Sequence, residues 1–167
     1  MSDNMSDKMS DKKPTRIAHI SLDDPALAAR NADLEHERRV AIFDLIEDNH
    51  FALADGPVGP YRVVLSLAER GIVFAIADLT GAALAEIELS MRPFRRNIRD
   101  YFMICESYFE AIRNATPDKI ESIDQSRRAL HNESAALLKE KIAPHAEIDD
   151  DTARRLFTLI SVLQMRG

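Results

Sequence analysis

The 167-residue chain lacks several features on which whole classes of protein depend. Its one cysteine allows neither an internal disulfide nor a metal site made of thiolates. No apolar run approaches the roughly 18–20 residues that span a bilayer, and the N-terminus has no hydrophobic signal segment. We therefore expect a cytoplasmic protein that does not enter a membrane.

Glycine is also scarce, and the familiar catalytic motifs are absent. The five glycines are dispersed, which disfavours a backbone loop that cradles phosphate. The sequence contains no Walker loop, Rossmann fingerprint, His-Glu-x-x-His, Cys-x-x-Cys or Gly-x-Ser-x-Gly motif. Helix capping and pairing with arginines explain the acidic residues Glu147, Asp149 and Asp151 better than a cation does. We expect no cofactor and no metal.

The composition is that of a globular protein preceded by a tail. Apolar residues make up 46% of the chain and charged residues 30%. Residues 1–13 repeat Met-Ser-Asp three times and contain no apolar residue except Met, so nothing there repays the entropy of ordering. We predict a disordered tail over 1–13 and a single α+β domain over 14–167.

The first half of the domain has the period-2 pattern of strands. Short strands are predicted at 16–22 and 50–54, a helix at 31–48, and three clearer strands at 61–68, 72–77 and 85–90. In the first strand, strict alternation puts Ile17 and His19 on one face and Ala18 and Ile20 on the other. Short glycine-containing turns join the three clear strands, which favours an antiparallel meander of three to five strands with one buried face.

The second half changes to a helical period. Ile98, Phe102, Cys105, Phe109 and Ile112 form an apolar stripe along a helix predicted at 93–114. A second helix should begin at Thr116 and Pro117, which cap and start it, and run to 142. The last helix follows three aspartates and is apolar nearly all round, so it closes either the core or a homodimer. The predicted class is α+β, with three to four helices, mostly C-terminal, packed on the meander.

The net charge of −6 repels nucleic acid and anionic lipid, but the basic residues are unusual. Only six of the 22 basic residues are lysine, and arginine is the residue that grips carboxylate or phosphate with a planar fork. A GC-rich genome explains the number of arginines. Their placement is therefore the informative property.

Four arginines share one face at the start of the predicted helix at 93–114. They are Arg92, Arg95, Arg96 and Arg99. Both the helix dipole and mutual repulsion disfavour cations there, by about 0.2–1 kcal/mol each. An anion nearby offsets this cost, and it is either an internal carboxylate such as Glu86 or Glu88, or a bound ligand.

A second basic group lies on the next helix at Arg127, Arg128 and His131. Arg127 interrupts an apolar series, so it needs a carboxylate partner, for which Glu106 and Glu110 are candidates. His131 titrates near neutral pH and is able to act as an acid or base, although a lone helical histidine is more often structural.

Three long segments resemble a known bacterial family. They are FRRNIRDYFMICESYFEAIR, IDQSRRALHNESAALL and DDDTARRLFTLISVL, and the resemblance extends over the chain after the tail. The family is one of uncharacterised proteins of alphaproteobacterial type. The resemblance implies an intracellular protein and supplies no catalytic residue.

These observations favour a non-catalytic cytoplasmic binding or regulatory protein that recognises an anionic small molecule or an acidic partner surface. The candidate ligand-binding residues are Arg92, Arg95, Arg96, Arg99, Arg127, Arg128 and His131. The alternative is an enzyme acting on a phosphorylated or carboxylated small molecule, with His131 as acid or base. RNA binding is a further alternative, which the acidic charge disfavours.

Overall fold

The structure is a computed structural model that describes residues 15–23 and 32–164. The predicted tail at 1–13 lies outside the described residues. Within them, the strands are β1 (Ile17–Leu22), β2 (Phe51–Leu53), β3 (Tyr61–Leu67), β4 (Gly71–Ala77), β5 (Ala83–Ser90) and β6 (Ala146–Ile148). The α-helices are α1 (Ala32–Glu47), α2 (Arg95–Asn114), α3 (Pro117–Ile142) and α4 (Asp150–Gln164), and a 3-10 turn at Arg92–Phe94 precedes α2. The predicted α+β class is confirmed.

A mixed, mainly antiparallel sheet of four strands has the order β1-β3-β4-β5. Strands β3, β4 and β5 form the predicted antiparallel meander, with Val63 opposite Ile76 and Phe74 opposite Ile87. These apolar side chains are buried, whereas Glu86 and other residues between them are exposed. The alternation in the sequence therefore identified which face of the meander lies on the core.

Strand β1 differs from the prediction in two ways. It pairs in parallel with β3, because α1 carries the chain back between them, so the sheet is not a pure meander. A register shift between Ile17 and His19 also breaks the expected alternation. As a result Ile17 and Ile20 are both buried and His19 is exposed, and the predicted assignment of Ile17 and His19 to one face is wrong.

The predicted short strand at 50–54 is confirmed as β2, and its partner was not predicted. Strand β2 pairs antiparallel with β6, with Phe51 opposite Ile148, in a separate two-stranded sheet. The Ala54 amide extends this pairing by donating to the His145 carbonyl at 2.8 Å. The pairing ties the connection between α3 and α4 to the first half of the chain.

Helix α4 occupies the centre of the structure. Every residue from Leu156 to Leu163 is buried, and the helix contacts α1, α2, α3 and β3. Burial in the core thus explains why the last helix is apolar nearly all round. Because elements of the same chain cover its apolar surface, α4 closes the core and is not exposed to a second copy.

The two preceding helices follow the predicted boundaries. Thr116 caps α3 by accepting a hydrogen bond from the Lys119 amide at 3.4 Å. In α2, Ile98 and Cys105 are buried as the stripe predicts, whereas Ile112 is 52% exposed, so the last position of the stripe is wrong. Among the described residues, no helix is both long and apolar enough to cross a membrane.

Asn49 joins the end of α1 to the first residue of β1. Its side-chain oxygen accepts from the Ile17 amide at 2.7 Å, and its nitrogen donates to the Ile17 carbonyl at 2.9 Å and the Leu45 carbonyl at 2.8 Å. Ile17 and Leu45 are fully buried. Without the Asn49 side chain, their backbone groups would lose these partners in a place from which water is excluded.

We expect Asn49→Ala to lower the free energy of unfolding by about 3 kcal/mol, because three hydrogen bonds are lost and buried backbone groups are left unpaired. Urea denaturation measures this change. The matched control Asn114→Ala removes an exposed asparagine side chain and should change stability by less than about 0.5 kcal/mol. Equal effects of the two substitutions would contradict the proposed role of Asn49.

Candidate functional site

A cleft of about 530 Å³ lies between α1, α3 and α4, with α2 behind it. Its charged lining residues are Glu37, Asp44, Arg127, Arg128, Arg154 and Arg155. The remaining residues that line it are Val40, Ala41, Tyr101, His131, Asn132 and Thr158. Of the sequence-predicted ligand residues, Arg127, Arg128 and His131 lie here, and we call this cavity the arginine cleft.

Helical spacing explains how these arginines meet. Arg127 and Arg128 lie one turn before His131 and Asn132 on α3, so four polar side chains project towards α4 from two successive turns. Arg154 and Arg155 lie in the first turns of α4, before its fully buried part begins at Leu156. The polar end of an otherwise buried helix therefore forms one wall of the cleft.

The arginines of α3 share a carboxylate from their own helix. Asp124 accepts from the Arg127 guanidinium at 2.8 Å and lies 3.2 Å from Nε of Arg128. The Arg127 guanidinium also lies over the Tyr108 ring, 4.4 Å from its centroid. The sequence-based choice of Glu106 and Glu110 as partners of Arg127 is thus replaced by Asp124, which lies one turn earlier on the same helix.

The arginines of α4 differ in how their charge is neutralised. Arg154 pairs with Asp151 and donates to the Asn132 side-chain oxygen at 3.3 Å. Arg155 donates only to a neutral group, the Asp48 backbone carbonyl, at 3.2 Å. No ion pair of Arg155 occurs within residues 15–23 and 32–164. Its positive charge is therefore the least compensated in the cleft.

His131 is held in one tautomer at the inner end of the cleft. Its Nε2 lies 2.8 Å from the Arg154 carbonyl oxygen, which can only accept, so Nε2 carries the proton. The Thr158 hydroxyl lies 3.0 Å from the same nitrogen. Burial, and to a smaller extent the positive charges of Arg127 and Arg154, lower the pKa of His131 to about 4. The ring is therefore neutral near pH 7.

Tyr101 forms the floor of the cleft beside His131. The two rings lie 5.1 Å apart, and Tyr101 also packs edge-on against Phe157 with a centroid separation of 5.5 Å. Burial raises the pKa of Tyr101 and, at the same place, the pKa of the Glu37 carboxyl. Both changes oppose negative charge at the floor, so the Tyr101 hydroxyl stays protonated.

The enzyme alternative would need a carboxylate that orients the His131 ring, and Glu133 does not contact this ring in the part of the chain that the structure describes. Its carboxylate is exposed and lies 3.4 Å from the Asn97 side-chain nitrogen, on another side of α3. The contacts of His131 are those of a buried side chain that links α3 to α4.

The other four predicted arginines lie outside the cleft. Arg92, Arg95, Arg96 and Arg99 are all exposed at the start of α2. Arg96 lies 3.8 Å and Arg99 3.6 Å from Asp100, and neither pairs with Glu86 or Glu88. Arg95 and Arg99 line a different groove of about 430 Å³, which shares no residue with the arginine cleft. The two arginine groups therefore do not form one site.

Sequence reasoning missed Arg154 and Arg155 as cleft residues. Asp149 accepts from the Thr152 amide at 2.9 Å and caps α4, and Asp151 pairs with Arg154, as the local interpretation expected. The available signal was the position of two arginines in the polar first turns of an otherwise apolar helix. Within the part of the chain that the structure describes, no group of three or more His, Cys, Asp or Glu is placed to hold a metal ion.

Comparison with known proteins agrees with the resemblance in the sequence. A family model described as an uncharacterised protein family, UPF0262, matches residues 14–166. The chain belongs to this family. The UPF0262 protein of Rhodospirillum rubrum is 54% identical over 156 residues, which cover 93% of this chain and 96% of that protein. The UPF0262 protein of Rhizobium etli is 54% identical over 152 residues, 91% of this chain and 96% of its own length.

A third relative, the UPF0262 protein of Methylobacterium radiotolerans, is 51% identical over 154 residues, with 92% and 96% of the two chains covered. These relatives come from alphaproteobacteria, as the resemblance implied. No solved structure matches this fold. Membership of UPF0262 assigns no activity, so a function has to be argued from the geometry of the chain.

We expect acid to destabilise the protein through His131. The pKa of His131 is about 4 in the folded state and its ordinary value is 6.5, so the unfolded state binds more protons between these pH values. The free energy of unfolding therefore decreases as the pH is lowered from about 6.5 to about 4. The full effect is on the order of 3 kcal/mol. Urea denaturation at pH 7 and pH 4 measures the loss of unfolding free energy between the two pH values. This loss should be smaller in His131→Gln than in wild type by about the same amount.

The matched control His145→Gln removes an exposed histidine and should keep the wild-type difference between pH 7 and pH 4. If wild type and His131→Gln lose the same stability over this range, His131 is not a buried neutral side chain.

Proposed function

We propose that this protein is a non-catalytic cytoplasmic binding protein whose ligand is a small molecule with a phosphate or carboxylate group, held in the arginine cleft. The observation that carries the proposal is the convergence of four guanidinium groups from α3 and α4 on one cavity. Such forks bind the planar or tetrahedral oxygens of carboxylate and phosphate with two hydrogen bonds each.

Two arginines of the cleft support an anion, although Glu37 and Asp44 also line it. Arg155 has only a neutral backbone acceptor, and the Arg128 side chain is 64% exposed although it lies beside Asp124. Both are able to reach a ligand without first breaking a buried ion pair. Half-burial of the cleft strengthens charge-assisted hydrogen bonds relative to those on an open surface.

The size of the cleft favours a small ligand. A cavity of about 530 Å³ accepts a molecule with one or two anionic groups and a modest apolar body. Val40 and Ala41 of α1 supply apolar surface opposite the arginines, and Asn132 supplies a neutral hydrogen-bonding group. An acidic protein surface would not enter this cavity, so the small-molecule form of the hypothesis fits it better.

A binding role accounts for His131 better than catalysis does. The proton on Nε2 is donated to the Arg154 carbonyl, and burial keeps the ring neutral. With a pKa of about 4, the imidazole is a weak base near pH 7 and carries no extra proton to donate, so it is poorly matched to acid or base catalysis there. His131 is better suited to fixing the position of Arg154, because it donates a hydrogen bond to the Arg154 backbone carbonyl.

Thermal denaturation at low salt tests the proposal with phosphate, pyrophosphate, nucleoside diphosphates, and small di- and tricarboxylates. A ligand present at 100 times its dissociation constant stabilises the fold by about 2.7 kcal/mol. For a chain of this size that raises Tm by about 5 °C or more. Arg155→Ala should abolish most of this shift, because it removes the least compensated charge in the cleft.

The matched control is Arg96→Ala, which removes an exposed arginine outside the cleft and should leave the ligand-induced shift unchanged. If none of the probes raises Tm, the proposal loses its support. If the shift disappears in Arg96→Ala and persists in Arg155→Ala, the anion binds at the start of α2 and the proposed site is wrong.

A further inference from the structure

Helix α2 presents to solvent a face that has no place in the arginine cleft. The side chains on this face are exposed or half-exposed: Arg95, Arg99, Phe102, Met103, Glu106, Glu110 and Arg113. At 3.6 residues per turn they fall within an arc of about 100°. Ile98 and Cys105, about 90–110° round the helix from the centre of this arc, are buried against the core. We call the exposed set the α2 face.

The order of the side chains along the α2 face is basic, apolar, acidic, and Arg113, which pairs with Asp33 at 3.2 Å, follows at its end. Arg95 and Arg99 occupy its first half, and Glu106 and Glu110 occupy its second half. The midpoint between Arg99 and Glu106 falls between Phe102 and Met103, and so does the midpoint between Arg95 and Glu110. With a rise of 1.5 Å per residue, the inner pair lies about 5 Å and the outer pair about 11 Å from this midpoint.

This arrangement is complementary to itself in one orientation only. If two α2 faces meet antiparallel about that midpoint, Arg99 of each copy lies opposite Glu106 of the other, and Arg95 lies opposite Glu110. Arg113 then lies nearest to Arg92 of the other copy, but Asp33 of its own chain already pairs with its charge. A parallel arrangement would place like charges together. We propose that a second copy of this chain packs antiparallel on the α2 face and forms a two-fold symmetric dimer with four intermolecular ion pairs.

The charged side chains of the α2 face have few ion-pair partners within their own chain, which supports a second copy as the molecule that covers this face. Among the described residues, Arg95, Glu106 and Glu110 form no ion pair, and the only one of Arg99 is a 3.6 Å contact to its neighbour Asp100. Met103 lies beside the midpoint and is 58% exposed, so it is available for an apolar contact at the centre of this face.

The surface beside α2 is concave at both ends of this face. A groove of about 430 Å³ runs beside Arg95 and Arg99, and a second, of about 500 Å³, runs beside Glu106 and Glu110. The two grooves meet at Phe102. The two-fold arrangement therefore places the basic groove of each copy against the acidic groove of the other, with apolar side chains at the centre, as in stable interfaces.

Sedimentation velocity over a series of protein concentrations, at low salt and without added ligand, tests the dimer. We expect wild type to dimerise, and high salt to weaken the dimer by screening its ion pairs. Arg99→Glu and Glu106→Arg should each raise the dimer dissociation constant by about 100-fold, because each turns two attractive pairs into repulsive ones. The double variant Arg99→Glu/Glu106→Arg restores opposite charges across the interface and should dimerise like wild type.

The matched control is Arg62→Glu, a charge reversal at an exposed position of β3. It should leave dimerisation unchanged, and circular dichroism checks that each variant is folded. A monomeric wild type, single variants that still dimerise, or a double variant that remains monomeric would each overturn the proposal. Since no ligand is present, these outcomes do not depend on whether the arginine cleft binds an anion.

Discussion

Burial of α4 is the interaction on which the rest of the structure depends. The large apolar side chains between Leu156 and Leu163 are enclosed by α1, α2, α3 and β3. Burying six such side chains contributes on the order of 10 kcal/mol, which is comparable with the whole net stability of a domain. The helices and the sheet must therefore close around α4, and this requirement fixes where its polar first turns reach the surface.

The arginine cleft follows from that placement. The polar side chains in the first turns of α4 emerge between α1 and α3, where Arg154 and Arg155 face the arginines of α3. His131 and Thr158 link the two helices behind this surface through the Arg154 carbonyl. The buried contacts set the distance between the helices, so the same packing that stabilises the fold positions the guanidinium groups.

The sequence pattern predicted the strands and helices that have a clear hydrophobic period of their own. It failed for elements that form because of contacts between distant parts of the chain. The meander of β3, β4 and β5 followed from alternation, because each strand has one wet and one buried face. Strand β6 has three residues, too few for a period to be recognised, and exists because β2 pairs with it. The nearby Asp151 was enough to explain the charge of Arg154 in the sequence. The position of Arg154 opposite α3 depends on how the helices pack, which no local pattern shows.

If α3 and α4 bring their arginines together to bind one anion, two-dimensional NMR of the arginine side-chain Nε–Hε groups during a titration with pyrophosphate should detect it. We expect the resonances of Arg128, Arg154 and Arg155 to shift together along one saturable curve, while those of Arg92 and Arg95 stay in place. Shifts confined to Arg92 and Arg95, or no saturable shift in the cleft, would contradict it.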